Sequence, residues 1–350
     1  MKRLRFLLTL AAVGGVAVVL PLLITGAYYQ NLCILTLLYA VVASNWDLTI
    51  GYTGLFNFAH IAFFGLGAYT SGILTVKYGI SPWLGIAAAI ALNVVVGAAM
   101  AFPATRLRGI YVALTTFAFT ELASALIVSR TSLTGGSAGL VLIPSISFAG
   151  YDFGVHNNGY FYLGEILLIV STFLLRALLK SDFGLSFVAI REFEDYAASR
   201  GVPVARQRLV ALVVSAVFTS AAGAIYAHYL GVASPDIFGF GFVTLFLSMV
   251  ILGGSGTLYG PIVAAVALTF FTEWRELAGY GDLRFMIVSG VIVAVLLFAR
   301  SGLWGALEAI WRLARGRRRT SDAAAEAVAE QNRVPTEAGP AATVTEPQAR

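Results

Sequence analysis

Apolar tracts of about bilayer length recur from one end of this chain almost to the other, and that recurrence restricts the fold more than any other feature. About 20 residues of α-helix cross a hydrocarbon core about 30 Å thick. Tracts of this kind fall near residues 6–25, 31–50, 55–76, 82–102, 109–129, 160–179, 209–230, 240–256, 258–273 and 284–300. The expectation is an all-α, polytopic membrane protein of about ten transmembrane helices. Hydrophobic residues make up 59% of the 350 and charged residues 12%, far from the roughly 25% charge of soluble domains. The eighth and ninth tracts are interrupted by Gly253-Gly254-Ser255-Gly256, which marks a broken segment of short, re-entrant pieces. The first follows Lys2, Arg3 and Arg5 as a signal peptide would. It is longer than a usual signal h-region and no small-residue cleavage site follows, so it is kept as a span.

Basic residues set the expected orientation. With the N-terminus in the cytoplasm, ten spans place Arg106, Arg108, the stretch from Lys180 to Arg208 and the cluster from Arg300 to Arg319 inside, and leave Lys77, Arg130, Arg275 and Arg284 outside. That asymmetry is what the positive-inside rule requires, and both termini are expected in the cytoplasm. The formal net charge of +5 therefore reads as a topology signal and not as a nucleic-acid footprint; no nucleic acid is expected as a partner.

Between the sixth and seventh tracts lies a charged island, residues 181–208, holding Asp182, Arg191, Glu192, Glu194, Asp195, Arg200, Arg206 and Arg208. Phe183, Phe187, Ile190, Phe193 and Ala197 recur in it at helical spacing. Ser181 or Asp182 can cap the start, and Gly201 before Val202-Pro203 supplies a stop. The expectation is a short amphipathic helix on the membrane surface, with Arg191 and Asp195 spaced to pair for a few tenths of a kcal/mol. Its apolar stripe either lies on the other cytoplasmic loops or docks a partner. Residues 130–159, rich in Gly and Ser, form the one sizeable external loop: a contact surface for something outside, or a plain connector. The transmembrane domain is assigned to 1–300, an interfacial basic helix carrying Trp304 and Trp311 to 301–319, and a disordered tail to 320–350.

Polar residues are densest in the second and third tracts: Asn45, Asp47, Thr49, Thr53, Asn57 and His60, among Gly51, Gly54, Gly65 and Gly67. Intramembrane polar groups face a bundle interior or an aqueous path, and glycines allow close approach. A path lining through Asn45, Asn57 and His60 is favoured, although Asn57 and His60 serve equally as packing groups, and Asp47 as a solvated residue at the mouth of the second span. Glu121 stands mid-span, where a carboxylate is costly unless paired, protonated or hydrated. Contact with cargo and a structural hydrogen bond are both open to it.

Other chemistry is excluded more sharply. Lys2, Lys77 and Lys180 follow Met1, Val76 and Leu179, so no Gly-Lys-Ser/Thr of a Walker loop exists. A Gly-x-Ser-x-Gly elbow, a His-Glu-x-x-His helix and a Cys-x-x-Cys pair are likewise missing from the sequence. Cys33 is the single cysteine, and His60, His156 and His228 are far apart, so no metal or disulfide framework is expected. The chain is read as a non-enzyme.

Four stretches, in order, resemble a known family. Gly51-Tyr52-Thr53-Gly54-Leu55-Phe56-Asn57-Phe58-Ala59-His60 through Tyr69 is similar to the early Gly-rich signature of LivM-type permeases, the membrane subunits of branched-chain amino acid ABC importers. Arg108-Gly109-Ile110-Tyr111 leading to Glu121, Ala189-Ile190-Arg191-Glu192 through Gly201, and Leu252 through Pro261 agree as well. The resemblance implies a permease of the bacterial-type plasma membrane. It pairs with a second homologous permease subunit, with cytoplasmic ATPase subunits that bind the ATP and Mg, and with an extracytoplasmic solute-binding protein. It also implies that the island is the ATPase-coupling loop, through Ile190, Arg191, Glu192, Glu194, Asp195, Ala197 and Gly201. Asp195-Tyr196-Ala197-Ala198-Ser199-Arg200-Gly201 is similar to the acidic-Ala-Ala, three residues, Gly pattern of ABC permeases, with Asp and Tyr in its first two places. Branched-chain amino acids are the expected cargo, with urea or short amides sharing the pattern. The rival reading is a proton-coupled secondary transporter using Asp47, His60 and Glu121 as a relay.

Overall fold

A computed structural model of the chain describes residues 26–148, 150–154 and 158–272, together with Gly290 and Gly305. The expected spans at 6–25 and 284–300, the basic helix 301–319, the tail 320–350, and His156, Arg275 and Arg284 lie outside the described residues.

Besides a single helical turn at Thr131–Thr134, the α-helices among the described residues are α1 (Ala27–Asp47, continued by a π-helical turn Leu48–Tyr52), α2 (Ala59–Tyr78), α3 (Pro82–Arg106), α4 (Ile110–Ser129), α5 (Asn158–Lys180), α6 (Asp182–Glu192), α7 (Glu194–Ser199), α8 (Val204–Leu230), α9 (Phe240–Gly253) and α10 (Gly260–Thr272). Among the described residues six of these, α1 to α5 and α8, are long and apolar enough to cross a bilayer, and they coincide with the second to seventh expected spans. The fold is that of a helical, multi-pass membrane protein.

Small residues decide which helices are innermost. A Cβ at Gly67 of α2 would enter the backbone of Ser220, and one at Gly223 of α8 would enter the Phe64 carbonyl, so α2 and α8 meet backbone to backbone. In a membrane, where apolar side chains gain nothing by leaving lipid, this close packing and interhelical hydrogen bonds hold helices together. Asn93 of α3 supplies one such bond, donating to Ser220 Oγ at 2.8 Å. Around the α2–α8 seam, Phe64, Tyr226, Phe246 and Tyr39 interlock, with ring centroids 5.2 Å apart for Phe64–Tyr226 and 5.3 Å for Tyr39–Phe246. Helices α1, α2 and α8 are mostly buried, whereas a third or fewer of the residues in the apolar stretches of α3, α4 and α5 are.

Two short strand pairs depart from a purely helical fold. Leu140–Val141 (β1) pairs antiparallel with Val232–Ala233 (β4), and Ser147–Phe148 (β2) with Tyr151–Asp152 (β3). They cap the bundle at the end opposite the island. His228, buried at the top of α8, pins this cap: its Nδ1 donates to Pro144 O at 2.7 Å, and its Nε2 accepts from Ser71 Oγ at 2.7 Å. Trp83 reaches Ser147 O in the same layer.

The eighth and ninth tracts are broken at 254–259, next to the glycines that suggested it, into α9 and α10; the approach to α9 adds what the sequence does not show. After Gly231 the chain does not run on as a loop outside the bundle. It turns back inward as β4 and a 3₁₀ turn, Pro235–Phe238, and α9 starts only at Phe240. Phe238 lies against Gly65 and Tyr69, halfway along α2, so α9 begins near mid-depth. At 14 residues, α9 is about 20 Å long, too short for a core about 30 Å thick; α10 is described over 13 residues, up to Thr272, where the described residues stop. They meet at Gly253 and Gly260, where either Cβ would collide with the other residue's backbone. Irregular backbone at membrane depth is tolerated where protein buries it or where it lines a cavity, and Ile237 and Phe238 are both buried.

Candidate functional site: the junction at the island end

The island is not one helix. It divides at Phe193, whose extended backbone (φ −149°, ψ 90°) ends α6 and starts α7, and its last residues, from Val204, belong to α8. The periodic apolar positions straddle the division. Phe187, Ile190 and Ala197 are buried, Phe187 against Leu48, Leu175 and Ala211, while Leu185, Phe193 and Tyr196 are exposed. One part of the apolar stripe therefore packs on the bundle, and the other is left outward. The division also removes the expected Arg191–Asp195 pair, because residues on either side of a break no longer share a helical face. Arg191 pairs instead with Glu192 at 2.7 Å and Asp195 with Arg108 at 2.9 Å. Ser181 occupies the cap position of α6, but its hydroxyl donates to Leu178 O rather than capping the helix.

Gly201 stops α7 as its sequence suggests. It takes φ +87°; its N–H bonds Ala198 O at 3.0 Å and the next N–H, from Val202, bonds Ala197 O at 3.0 Å. This paired closure at a left-handed residue leaves few helix-end carbonyls without a partner.

Two stretches far apart in sequence, 47–54 and the turn at Gly256, converge beside α6. The π-turn that ends α1 widens the backbone and brings Asp47 Oδ1 to the backbone N–H of Gly256, 2.8 Å away. Gly51 sits between them, and a Cβ there would occupy the space of both groups. From above, Arg191 Nη1 donates to Gly51 O at 2.7 Å. Gly54, at φ +68°, lies directly beneath the Arg191 backbone, and Gly256, at φ +79°, beneath its guanidinium. The glycines are thus required twice, for backbone conformation and for contact. The island is joined to α1, to the loop before α2 and to the α9–α10 turn through one arginine.

A second link runs through Glu194, the first residue of α7. It accepts from Arg208 Nη2 at 2.7 Å and lies 3.8 Å from Arg108 Nε. Only 6% of the Arg208 side chain is exposed. Next to this pair, between α4, the loop after Gly54 and the start of α9, opens a cleft of about 570 Å³ lined largely by aromatic and aliphatic side chains.

Of the four residues proposed for a path, Asn57 and His60 are brought together, and Glu121 stands apart from them. Asn57 and His60 are fully buried and bonded within the bundle: Asn57 Nδ2 donates to Thr49 Oγ1 and Leu55 O, each at 2.9 Å, and Asn57 Oδ1 lies 3.2 Å from His60 Nδ1, which must carry the ring proton. Trp46 stacks on His60 (centroids 5.4 Å, 11°) and donates to Asn57 O. Asn45 ties α1 to α5 through Ser171 Oγ at 2.7 Å. Glu121, in contrast, is exposed at mid-helix on the outer face of α4, and no hydrogen bond or ion pair reaches it among the described residues. No group of three or more metal-ligating side chains occurs among the described residues.

Arg208 and Gly256 figured in the sequence only as one of the island's charges and as part of a helix break, and the aromatic wall of the cleft was not singled out. Arg208 had a visible signal, a charge directly ahead of an apolar tract. Phe117 and Phe240 had none, being aromatics among many.

The family model described as "Branched-chain amino acid transport system / permease component" matches residues 28–298. The high-affinity branched-chain amino acid transport system permease protein LivM of Salmonella typhimurium is 29% identical over 318 residues, 85% of this chain and 74% of that protein. Its counterpart from Escherichia coli K12 is 28% identical over 295 residues, 78% and 69% of the two chains. A probable LivM of Methanocaldococcus jannaschii is 21% identical over 314 residues, 76% and 90%. No solved structure matches the chain significantly.

Proposed function

This chain belongs to the branched-chain amino acid transport system permease family, and from that premise we propose that it is the membrane-spanning half of an importer driven by ATP hydrolysed on separate subunits. It is a multi-pass protein of the bacterial-type inner membrane. The proposed topology has ten spans with both termini and the island in the cytoplasm. Cytoplasmic ATPases would bind the ATP and Mg and receive the outward residues of α6 and α7; a second permease subunit would complete the path, and an extracytoplasmic binding protein would deliver the cargo. Branched-chain amino acids are preferred to urea or short amides, because the relatives are named for them and the cleft beside α4 is lined by rings and aliphatic groups.

One observation carries the coupling part of this reading: Arg191 of α6 bonds Gly51 O and lies over Gly54 and Gly256. A push on α6 therefore reaches the end of α1, the segment that leads into α2 and the α9–α10 turn directly, through packed contacts. Ile190 and Ala197 seat the two helices, Glu192, Glu194 and Asp195 orient them, and Gly201 ends them. For the path, Glu121 is the group facing the cargo, since an uncompensated carboxylate at mid-depth costs about 3 kcal/mol and needs a hydrated or polar neighbour. Asn45, Asn57 and His60 shape the wall from behind.

The test is copurification from native membranes of the wild type and of a variant with Arg191, Glu192, Glu194 and Asp195 all changed to Ala. An ATPase retained by the wild type and lost from the variant at equal expression supports the proposal. No ATPase with either chain would move the proton-coupled reading to the front.

A further inference from the structure

Resting on the transport reading above, we infer that the cleft beside α4 is a transit site on the island side of the path, built for a zwitterion with an aliphatic tail. Its volume of about 570 Å³ lies within the roughly 300–1,000 Å³ of small-molecule sites. Its wall is made by Phe56, Phe58, Leu114, Phe117 and Phe240, and the chain's own packing leaves Phe240 74% and Phe56 41% exposed. These rings are placed to receive an apolar group that the protein itself does not supply.

At the cleft's polar end stand Glu194 and Arg208, 2.7 Å apart. An α-amino acid carries an ammonium and a carboxylate on the same carbon, with its side chain directed away. The pair offers a partner to each: Arg208 for the carboxylate and Glu194 for the ammonium, while the tail lies on the rings. Urea and short amides carry neither charge nor tail, and would leave both features unused. With no cargo the two residues neutralise each other; with cargo they exchange that contact for two of the same kind. The charge balance is nearly unchanged, so holding is weak, as a path requires.

The placement also ties release to the partner. Glu194 begins α7 and is shared with Arg108, so displacement of α7 separates Glu194 from Arg208 and opens both to the cargo. Leu114, Phe117 and Glu121 follow one another at helical spacing on α4, which makes the cleft and the mid-depth carboxylate parts of one face.

Cysteine protection tests this. Cys33 is the single cysteine, so Cys33→Ser gives a background in which Leu114→Cys is read alone. The complete transporter, purified with its partner subunits, is treated with a small methanethiosulfonate reagent in the presence of excess L-leucine or urea. Protection of at least threefold by leucine, under 1.5-fold by urea, and none by leucine at a Leu126→Cys control on the far part of α4, is expected. Phe240→Cys reports on the same wall should Leu114→Cys fail to accumulate. Equal protection by urea and leucine, or none by leucine, overturns the transit site. Leucine uptake and ATPase content measured on the same preparations separate the failures. If both are normal while protection is missing, only this inference falls; if both are lost in the unsubstituted complex, the function proposed above falls and this inference with it.

Discussion

The α2–α8 seam and the outer face of α4 both carry polar groups at membrane depth, and they treat them in opposite ways. At the seam the buried groups are bonded within the chain through at least one atom: Asn93 to Ser220, Asn57 to Thr49 and His60, and His228 to Ser71 and Pro144, although Asn93 Oδ1 and His60 Nε2 meet no partner among the described residues. On α4, Glu121 is exposed and the rings below it line an open cleft. Polarity inside a membrane protein is therefore not in itself a functional signal. What distinguishes the two regions is whether the chain encloses the polar side chain and bonds at least one of its atoms, or leaves it exposed with no partner among the described residues.

Substitutions can break or sharpen this contrast. The largest effect is expected from Gly223→Leu at the seam, where a side chain meets the Phe64 carbonyl and has no way past rigid backbone; folded protein in membranes should drop more than tenfold, measured by fluorescence-detected size exclusion. Next, Asn57→Leu leaves Thr49 and His60 without their shared partner, a loss of about 2 kcal/mol, read as a lower melting temperature in detergent. Glu121→Leu should do the reverse: the melting temperature is kept or raised while leucine uptake falls about fivefold. If it melts early like Asn57→Leu, the contrast between the faces is wrong. Asn93→Leu removes one interhelical bond worth about 0.6 kcal/mol. Arg108→Ala deletes a pair exposed on the Arg108 side, and a shift under about 0.5 kcal/mol is expected.

The spans were legible because hydropathy is a one-dimensional property, set by length and composition. The inward return at 231–239 was marked only by Gly231, Pro235 and Gly239, punctuation that fits an external turn as well as a break at mid-depth. Phe193 could not announce the division of the island, because the apolar spacing carries on across it. Face was the hardest matter. Helix α4 is apolar nearly all round, so nothing in its sequence shows whether Glu121 points in or out; neighbouring helices decide that. Motif glycines showed that close approach was needed, but not that Gly51 and Gly256 approach each other.

The account rests on Arg191 passing the motion of α6 into the bundle, and the direct measurement is leucine transported per ATP hydrolysed in proteoliposomes for wild type and Arg191→Ala. Because the outward residues Leu185, Phe193 and Tyr196 remain to hold the ATPase, hydrolysis should persist while the ratio falls about tenfold. An unchanged ratio at normal assembly would contradict the account, since the contact with Gly51 would then carry no motion.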